Sequence, residues 1–368
     1  MYLALKEMKK EKLRFLMIIL VTALIAYLVY FLSSLAYGLA QINRTSIDHW
    51  NAEGIVISKA SNGNIYGSVI EESTLESLDF NLINAINVNT ATVSLNDEQD
   101  PYDLVFMGYD TTSTQIVPRL VEGREIEKPN EIVVSNNFKN QVAVKVGDTL
   151  TVSSAKRAFT IVGFTEDSNY NTVPVGYAMR DSVSDAMMIY SPSTEGDVVV
   201  TPTPNMPHRV SALISYEKIE QSRLDDAGLV YIPINDFIRG LPGYQAQVLT
   251  FGLMIISLAL ISSIIIGIFM YILTMQKKSI FGVLKIQGYR NFYIMKSLVY
   301  QSILLTTLGF LLGLGATLVT VKLLPTKVPV SLFWELYAII TLFSIFCSLL
   351  GSLFSAKSIL KIDPLDAL

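Results

Sequence analysis

Cysteine and histidine are almost missing from this chain. Its 368 residues include one cysteine, Cys347, and two histidines, His49 and His208. One thiol excludes an intrachain disulfide, so any folded part must hold by packing alone. There is no C-x-x-C, H-E-x-x-H or G-x-S-x-G, and no Gly-Lys dipeptide. The last absence excludes nucleotide binding by a phosphate-binding loop. Each histidine stands alone, and such a side chain reads more readily as solvated than as a ligand. No metal site and no active site of the chain's own are expected.

Charge is scarce as well. Only 16% of residues are charged, against 51% hydrophobic. Phe15–Ala36, Val248–Leu273 and Ser297–Val321 carry no charge at all, and Leu332–Phe354 carries only Glu335. Crossing a bilayer as a helix takes about 20 apolar residues, and each stretch is long enough. Small-x-small pairs at Ser34–Ala36 and Gly38–Ala40 suggest a signal-peptide cleavage site. The apolar run nevertheless exceeds the roughly 7–15 residues of a signal core, so it is read as a retained span.

Lys6, Lys9, Lys10, Lys12 and Arg14 precede the first span. Lys277, Lys278, Lys285 and Arg290 lie between the second and third, and Lys357 and Lys361 follow the fourth. In a four-span chain these segments share one side, and excess Lys and Arg mark that side as cytoplasmic. Residues 39–247 hold 27 acidic against 14 basic side chains, and the remainder of the chain 5 against 14. An acidic surface of this kind excludes a phosphate backbone, so no nucleic acid partner is expected.

The expected fold class is an α-helical membrane bundle of four transmembrane helices, arranged one plus three, with an α+β extracellular domain between the first two. The boundaries are a cytoplasmic amphipathic helix at 1–14, spans at 15–38, 248–273, 294–323 and 332–355, and the outer domain at 39–247. A cytoplasmic coupling segment covers 274–293 and a cytoplasmic tail 356–368. The N-terminal segment also fits a plain basic flank, and both readings stay open. In the outer domain, Gly54–Lys59, Asp103–Gly108, Glu131–Ser135, Thr149–Ser153 and Phe159–Phe164 are predicted strands, rich in β-branched residues. Ser73–Ile86 and Ser215–Gly228 are predicted helices. Asp236 is placed as the cap of a short helix broken at Gly240–Gly243. The proline-rich segment 201–208 should be extended. Gly309 and Gly313 form a G-x-x-x-G pair suited to close helix packing.

Between the second and third spans the sequence reads TMQKKSIFGVLKIQGYR. Ile280, Phe281, Val283, Leu284 and Ile286 are too apolar for an idle loop, and basic residues flank them. Docking into a partner's groove and lying on the inner leaflet both fit.

This segment resembles the inner loop of FtsX-like permeases of the MacB type, with a core at Ile280-Phe281-Gly282-Val283-Leu284-Lys285-Ile286-Gln287-Gly288. The ending Ile362-Asp363-Pro364-Leu365-Asp366-Ala367-Leu368 is similar to the family's "DP-x-x-AL" terminus. Gly123-Arg124, Asn130–Ser135, Lys145–Leu150 and Phe159–Phe164 resemble the family's outer core domain. Tyr37–Gln41 and Gly240–Gln247 are similar to boundary segments of its haem-efflux branch, known from Gram-positive bacteria. Lys277-Lys278-Ser279 departs from the acidic or amide residue usual before the core, which puts the polar contacts of the loop in doubt. The outer domain also looks too small for a trans-envelope tunnel.

The resemblance implies a membrane permease subunit, not an enzyme, working as a homodimer in lipid with two copies of a separate ABC ATPase. ATP-Mg would sit on that partner, and no cofactor would be intrinsic. ATPase coupling would fall to Lys278, Ile280, Phe281, Gly282, Val283, Leu284, Lys285 and Gly288. The implied substrate is hydrophobic, with haem in the lead. Haem needs an apolar, aromatic site with a ligand and a basic rim. The outer boundary offers Tyr30, Tyr37, Arg44, Arg239, Tyr244 and Met254. Family alternatives are a signalling permease that activates an outer hydrolase, and a lipoprotein or peptide exporter.

Overall fold

The computed structural model describes residues 12–77, 83–96, 100–110, 116–154, 157–186, 209–276, 278–325 and 328–360. The expectations for 1–11, 201–208 and 361–368 lie outside them. Two compact units form, one from Met1–Leu39 with Val248–Leu368 and one from Ala40–Gln247.

Along the chain, α1 (Lys12–Gln41) and α2 (Thr45–His49) precede β1 (Gly54–Ser58), β2 (Ile70–Glu71) and α3 (Glu72–Ser77). Next come β3 (Ile83–Leu95), β4 (Pro101–Tyr109), β5 (Leu120–Gly123), β6 (Glu131–Ser135) and α4 (Asn136–Val142). Then follow β7 (Thr149–Val152), β8 (Arg157–Thr165), β9 (Asn169–Tyr170), β10 (Val173–Met179) and α5 (Arg180–Ala186). β11 (Arg209–Val210), β12 (Ala212–Ser215), β13 (Leu229–Pro233) and α6 (Ile234–Arg239) complete the second unit apart from its last turn. α7 (Tyr244–Met275), α8 (Lys278–Ile286), α9 (Asn291–Leu323) and α10 (Trp334–Leu360) finish the described chain.

In the Ala40–Gln247 unit the strand pairings close on themselves. β3 pairs with β4, β4 with β10, β10 with β6, β6 with β8, β8 with β7, and β7 back with β3. The β4–β10 and β6–β8 pairs are parallel and the others antiparallel, so the sheet is mixed. β3 is long enough to carry β12 along Ile83–Ile86 and β7 along Val93–Leu95. From β12 the sheet extends through β1 to β13.

Side-chain alternation assigns the two faces. Leu104, Phe106, Ile132, Val134, Phe159, Ile161 and Phe164 share one core with residues from every strand of the ring. Val105, Met107, Val133 and Tyr177 point the other way, into a second core with Ile47 and Trp50. Strands buried on both faces read as unbroken apolar runs, which is why β6 is Glu-Ile-Val-Val-Ser. Burying each of the three phenylalanines stabilises the fold by about 2 kcal/mol.

The Gly-Arg and Asn-Glu motifs have a structural purpose. Gly123 has φ +83°, and a Cβ there would meet Gly163 Cα at 2.6 Å. That backbone form and approach suit glycine alone. Arg124 then pairs with Glu131 across 2.5 Å. Glu131 also accepts the backbone N–H groups of Glu127 at 2.9 Å and Lys128 at 3.1 Å. Arg124, with these backbone bonds, pulls the Glu131 pKa down to about 2.

Several elements differ from expectation. Residues 215–228 are not a helix. β12 ends at Ser215, and only a short 3₁₀ turn, Gln221–Arg223, follows. Side chains take over the backbone groups: Gln221 Nε2 donates to Leu229 O at 2.9 Å and Tyr231 N to Gln221 Oε1 at 3.1 Å. Such bonds compete with helix formation. Of the helix expected over Ser73–Ile86, the described residues are helical through Ser77 in α3, whereas Ile83–Ile86 is strand and pairs with β12. Asp236 does not cap α6 but lies within its first turn, since Pro233 holds the cap position.

Four helices, α1, α7, α9 and α10, are long and apolar enough to cross a membrane. α1 and α7 run past the expected spans at both ends, α9 begins earlier, and α10 begins two residues later but runs on to Leu360, because helix continues beyond the uncharged stretches. In α9, Gly309 and Gly313 admit α1: a Cβ on Gly313 would meet Ala26 Cβ at 2.6 Å and Ala23 O at 2.7 Å. The G-x-x-x-G pair is thus packing within one chain. Gly351 in α10 meets the backbone of Gly267 in α7. Thr306 donates to Ser348 at 2.8 Å between α9 and α10. Elsewhere the helices turn apolar side chains outward, with Leu253 67% and Leu342 68% exposed. Water would penalise so extended an apolar surface, whereas hydrocarbon does not.

Candidate functional site

The segment between the second and third long helices forms α8. Its exposed residues, Ile280, Val283 and Ile286, recur every third position and so share one flank of the helix. Gly282 is buried and Leu284 half-buried. Gly288 ends the helix with φ +87°, and Tyr289 N–H bonds Leu284 C=O at 3.1 Å. This is a glycine-terminated Schellman cap, which requires a left-handed residue. The side chains of Lys278, Phe281 and Lys285 lie outside the described residues. Exposed Tyr289, Phe292 and Tyr293 continue the apolar surface, with Tyr289 and Tyr293 at 5.4 Å between ring centres. Sequence reading passed over these three. Their signal was an aromatic run directly beside the loop.

The boundary residues fall into separate settings. Tyr30 is buried in the helical unit, bonded to Thr341 and packed against Phe310 and Tyr337. Ser34 bonds the Tyr337 hydroxyl beside it. Tyr37 is half-buried and stacks on Phe333 at 4.4 Å. Met254 is half-buried on α7. In the other unit, Arg44 grips Asp48 through Nε and Nη2. Burial opposes its charge, but the Asp48 carboxylate and nearby Tyr244 outweigh that and raise its pKa. Tyr244 packs against the core that contains Trp50. Arg239 is exposed and pairs with Asp236 at 3.5 Å. The structure therefore brings Arg44 and Tyr244 together. His49 is half-buried, its Nε2 3.3 Å from the carbonyl oxygen of Asp167, and no metal-ligating cluster occurs among the described residues.

Residues 252–364 match the FtsX-like permease C-terminal family, so α7 to α10 form a permease domain of that type. Full-length relatives agree. One is named as the hemin transport system permease protein HrtB of Staphylococcus haemolyticus. It is 26% identical over 373 residues, covering 100% of this chain and 99% of the relative. A second HrtB, of Staphylococcus epidermidis, is 24% identical over 371 residues with the same coverage. An uncharacterized ABC transporter permease of Mycobacterium tuberculosis is 21% identical over 373 residues, again with 100% and 99% coverage. Among solved structures, the extracellular domain of the noncanonic ABC-type transporter YknZ from Gram-positive bacteria aligns with 9% identity. Its TM-score is 0.31, covering 48% of this chain and 88% of that one. The chain is thus similar over its full length to ABC transporter permeases, carries an FtsX-like domain at its C-terminal end, and has the four long apolar helices of a multi-pass membrane protein.

Proposed function

We propose that this chain is the membrane subunit of an ATP-driven exporter of the MacB type that expels haem. Two copies pair in the membrane and bind two copies of a separate ATPase. Both termini and α8 face the cytoplasm, and residues 39–247 lie outside. The observation that carries this reading is α8, a short amphipathic helix between long apolar ones. Its apolar flank is unburied, and basic residues surround it. ATP closes the motor. The motor moves α8, and that closure biases the bundle toward one arrangement. The basic segments near the span ends support the orientation.

Haem as the substrate rests on the names of the full-length relatives. In this reading Tyr37 and Met254, half-buried in the helical unit, supply contact to a flat, apolar molecule, and Tyr30, held by Thr341, shapes that face of the helices. A deletion strain should be hypersensitive to haem and unchanged toward peptides and antibiotics. A chain-separation defect with normal haem tolerance would replace export by signalling.

A further inference from the structure

The chain enters the Ala40–Gln247 unit through Asn43 and Arg44 and leaves it through Tyr244 and Gln247. These segments are remote in sequence, yet Asn43 Nδ2 donates to Gln247 Oε1 at 2.8 Å. Beside them Arg44 pairs with Asp48 and lies close enough to Tyr244 for the two to interact electrostatically. Asn43 is only 3% exposed, so its amide works away from bulk water.

The entry segment is also fastened to the β9–β10 hairpin. Asn171 N–H donates to Asn43 C=O at 2.9 Å. Asn169 N–H donates to Thr45 Oγ1 at 2.7 Å. The hairpin tip, Asn171 and Thr172, has φ of 48° and 73°. For a β-branched residue such as Thr172 the left-handed form is sterically unfavourable. Strain of this kind persists only where surrounding contacts over-determine it. Beyond the tip, β10 lies between β4 and β6 in the strand ring.

We propose that Asn43, Gln247 and the Asn169–Val173 hairpin form a transmission clamp. Through it, displacement of either connecting segment passes to the other and on to β10. The clamp stays closed through the cycle. Arg44 and Tyr244 stiffen it, which gives these two boundary residues a positioning role. The inference rests on the exporter reading for what drives the displacement, and on the hydrogen bonds alone for the clamp.

The test uses the full chain in lipid nanodiscs and proteoliposomes with its ATPase. It compares wild type, Asn43→Ala/Gln247→Ala, and Asn43→Cys/Gln247→Cys joined by a short bifunctional thiol reagent. The cysteine pair is built on Cys347→Ser, since Cys347 is the sole cysteine. ATP hydrolysis, haem efflux and amide exchange over 167–173 are read together. The alanine pair should hydrolyse ATP at near the wild-type rate, lose about tenfold in efflux and exchange about tenfold faster at Asn171, the factor one hydrogen bond commands. The cross-linked pair should retain efflux. Full efflux by the alanine pair, arrest on cross-linking, or unchanged exchange would each overturn the clamp. If wild type shows no ATP-driven efflux, the exporter reading fails. Exchange then decides the clamp: faster exchange in the alanine pair supports it, and unchanged exchange overturns it.

Discussion

Glu131 shows how much one side chain can organise. Its carboxylate receives Arg124 and two backbone N–H groups while only 9% exposed. Its folded pKa, about 2, lies below the ordinary 4.5. Between these values the unfolded chain binds a proton that the folded chain refuses. The stabilisation is therefore complete above about pH 4.5 and disappears as pH falls toward 2. Glu131→Gln should lower the midpoint of thermal unfolding at pH 7, and the gap from wild type should narrow progressively below pH 4.5. Melting curves of the purified chain over that range check this, and a gap independent of pH would contradict it. The sequence displayed the Gly-Arg and Asn-Glu pairs but not their partnership, since neither motif states where the other folds.

Elements were legible where one force dominated. β6 and β8 were visible as β-branched and aromatic runs because both their faces are buried. The long helices were visible because lipid and helix packing both demand apolar side chains. Residues 215–228 misled because their polar composition suits a helix, while their structure depends on Gln221 reaching Leu229 and Tyr231. Only Ile219 and Leu224 are buried there among the large apolar side chains between Tyr216 and Ala227. Five residues apart, they do not share a helix face. The α1–α9 contact yields a direct test. Gly313→Leu forces a side chain into Ala26 and the α1 backbone, and should destabilise the bundle by about 1–3 kcal/mol. Gly315→Ala, where a Cβ meets nothing within 4 Å, should change little. Thermal stability in detergent compares the two, and equal melting would contradict the packing. For α8, Gly282→Asp or Leu284→Asp places charge on buried or half-buried positions. Each should insert normally yet abolish substrate-stimulated ATP hydrolysis by the complex. Undiminished stimulation in both would remove α8 as the coupling element.

The whole molecule joins two kinds of solvent logic in one chain. Residues 40–247 bury their apolar side chains in a closed strand ring and its outer face, as a water-soluble domain must. The four long helices leave theirs outside, as lipid requires. The boundary residues were harder to place, because a tyrosine near a span end fits the aromatic belt, internal packing and ligand contact equally in sequence. Position in space separated Tyr30, buried against Tyr337, from half-buried Tyr37. The account turns on α8 meeting a separate ATPase inside the cell, and Val283, exposed on its apolar flank, is the residue to probe. Val283→Cys on a Cys347→Ser background should resist a membrane-impermeant maleimide in intact cells and cross-link to the ATPase subunit. Ready labelling from the outer medium would contradict the account.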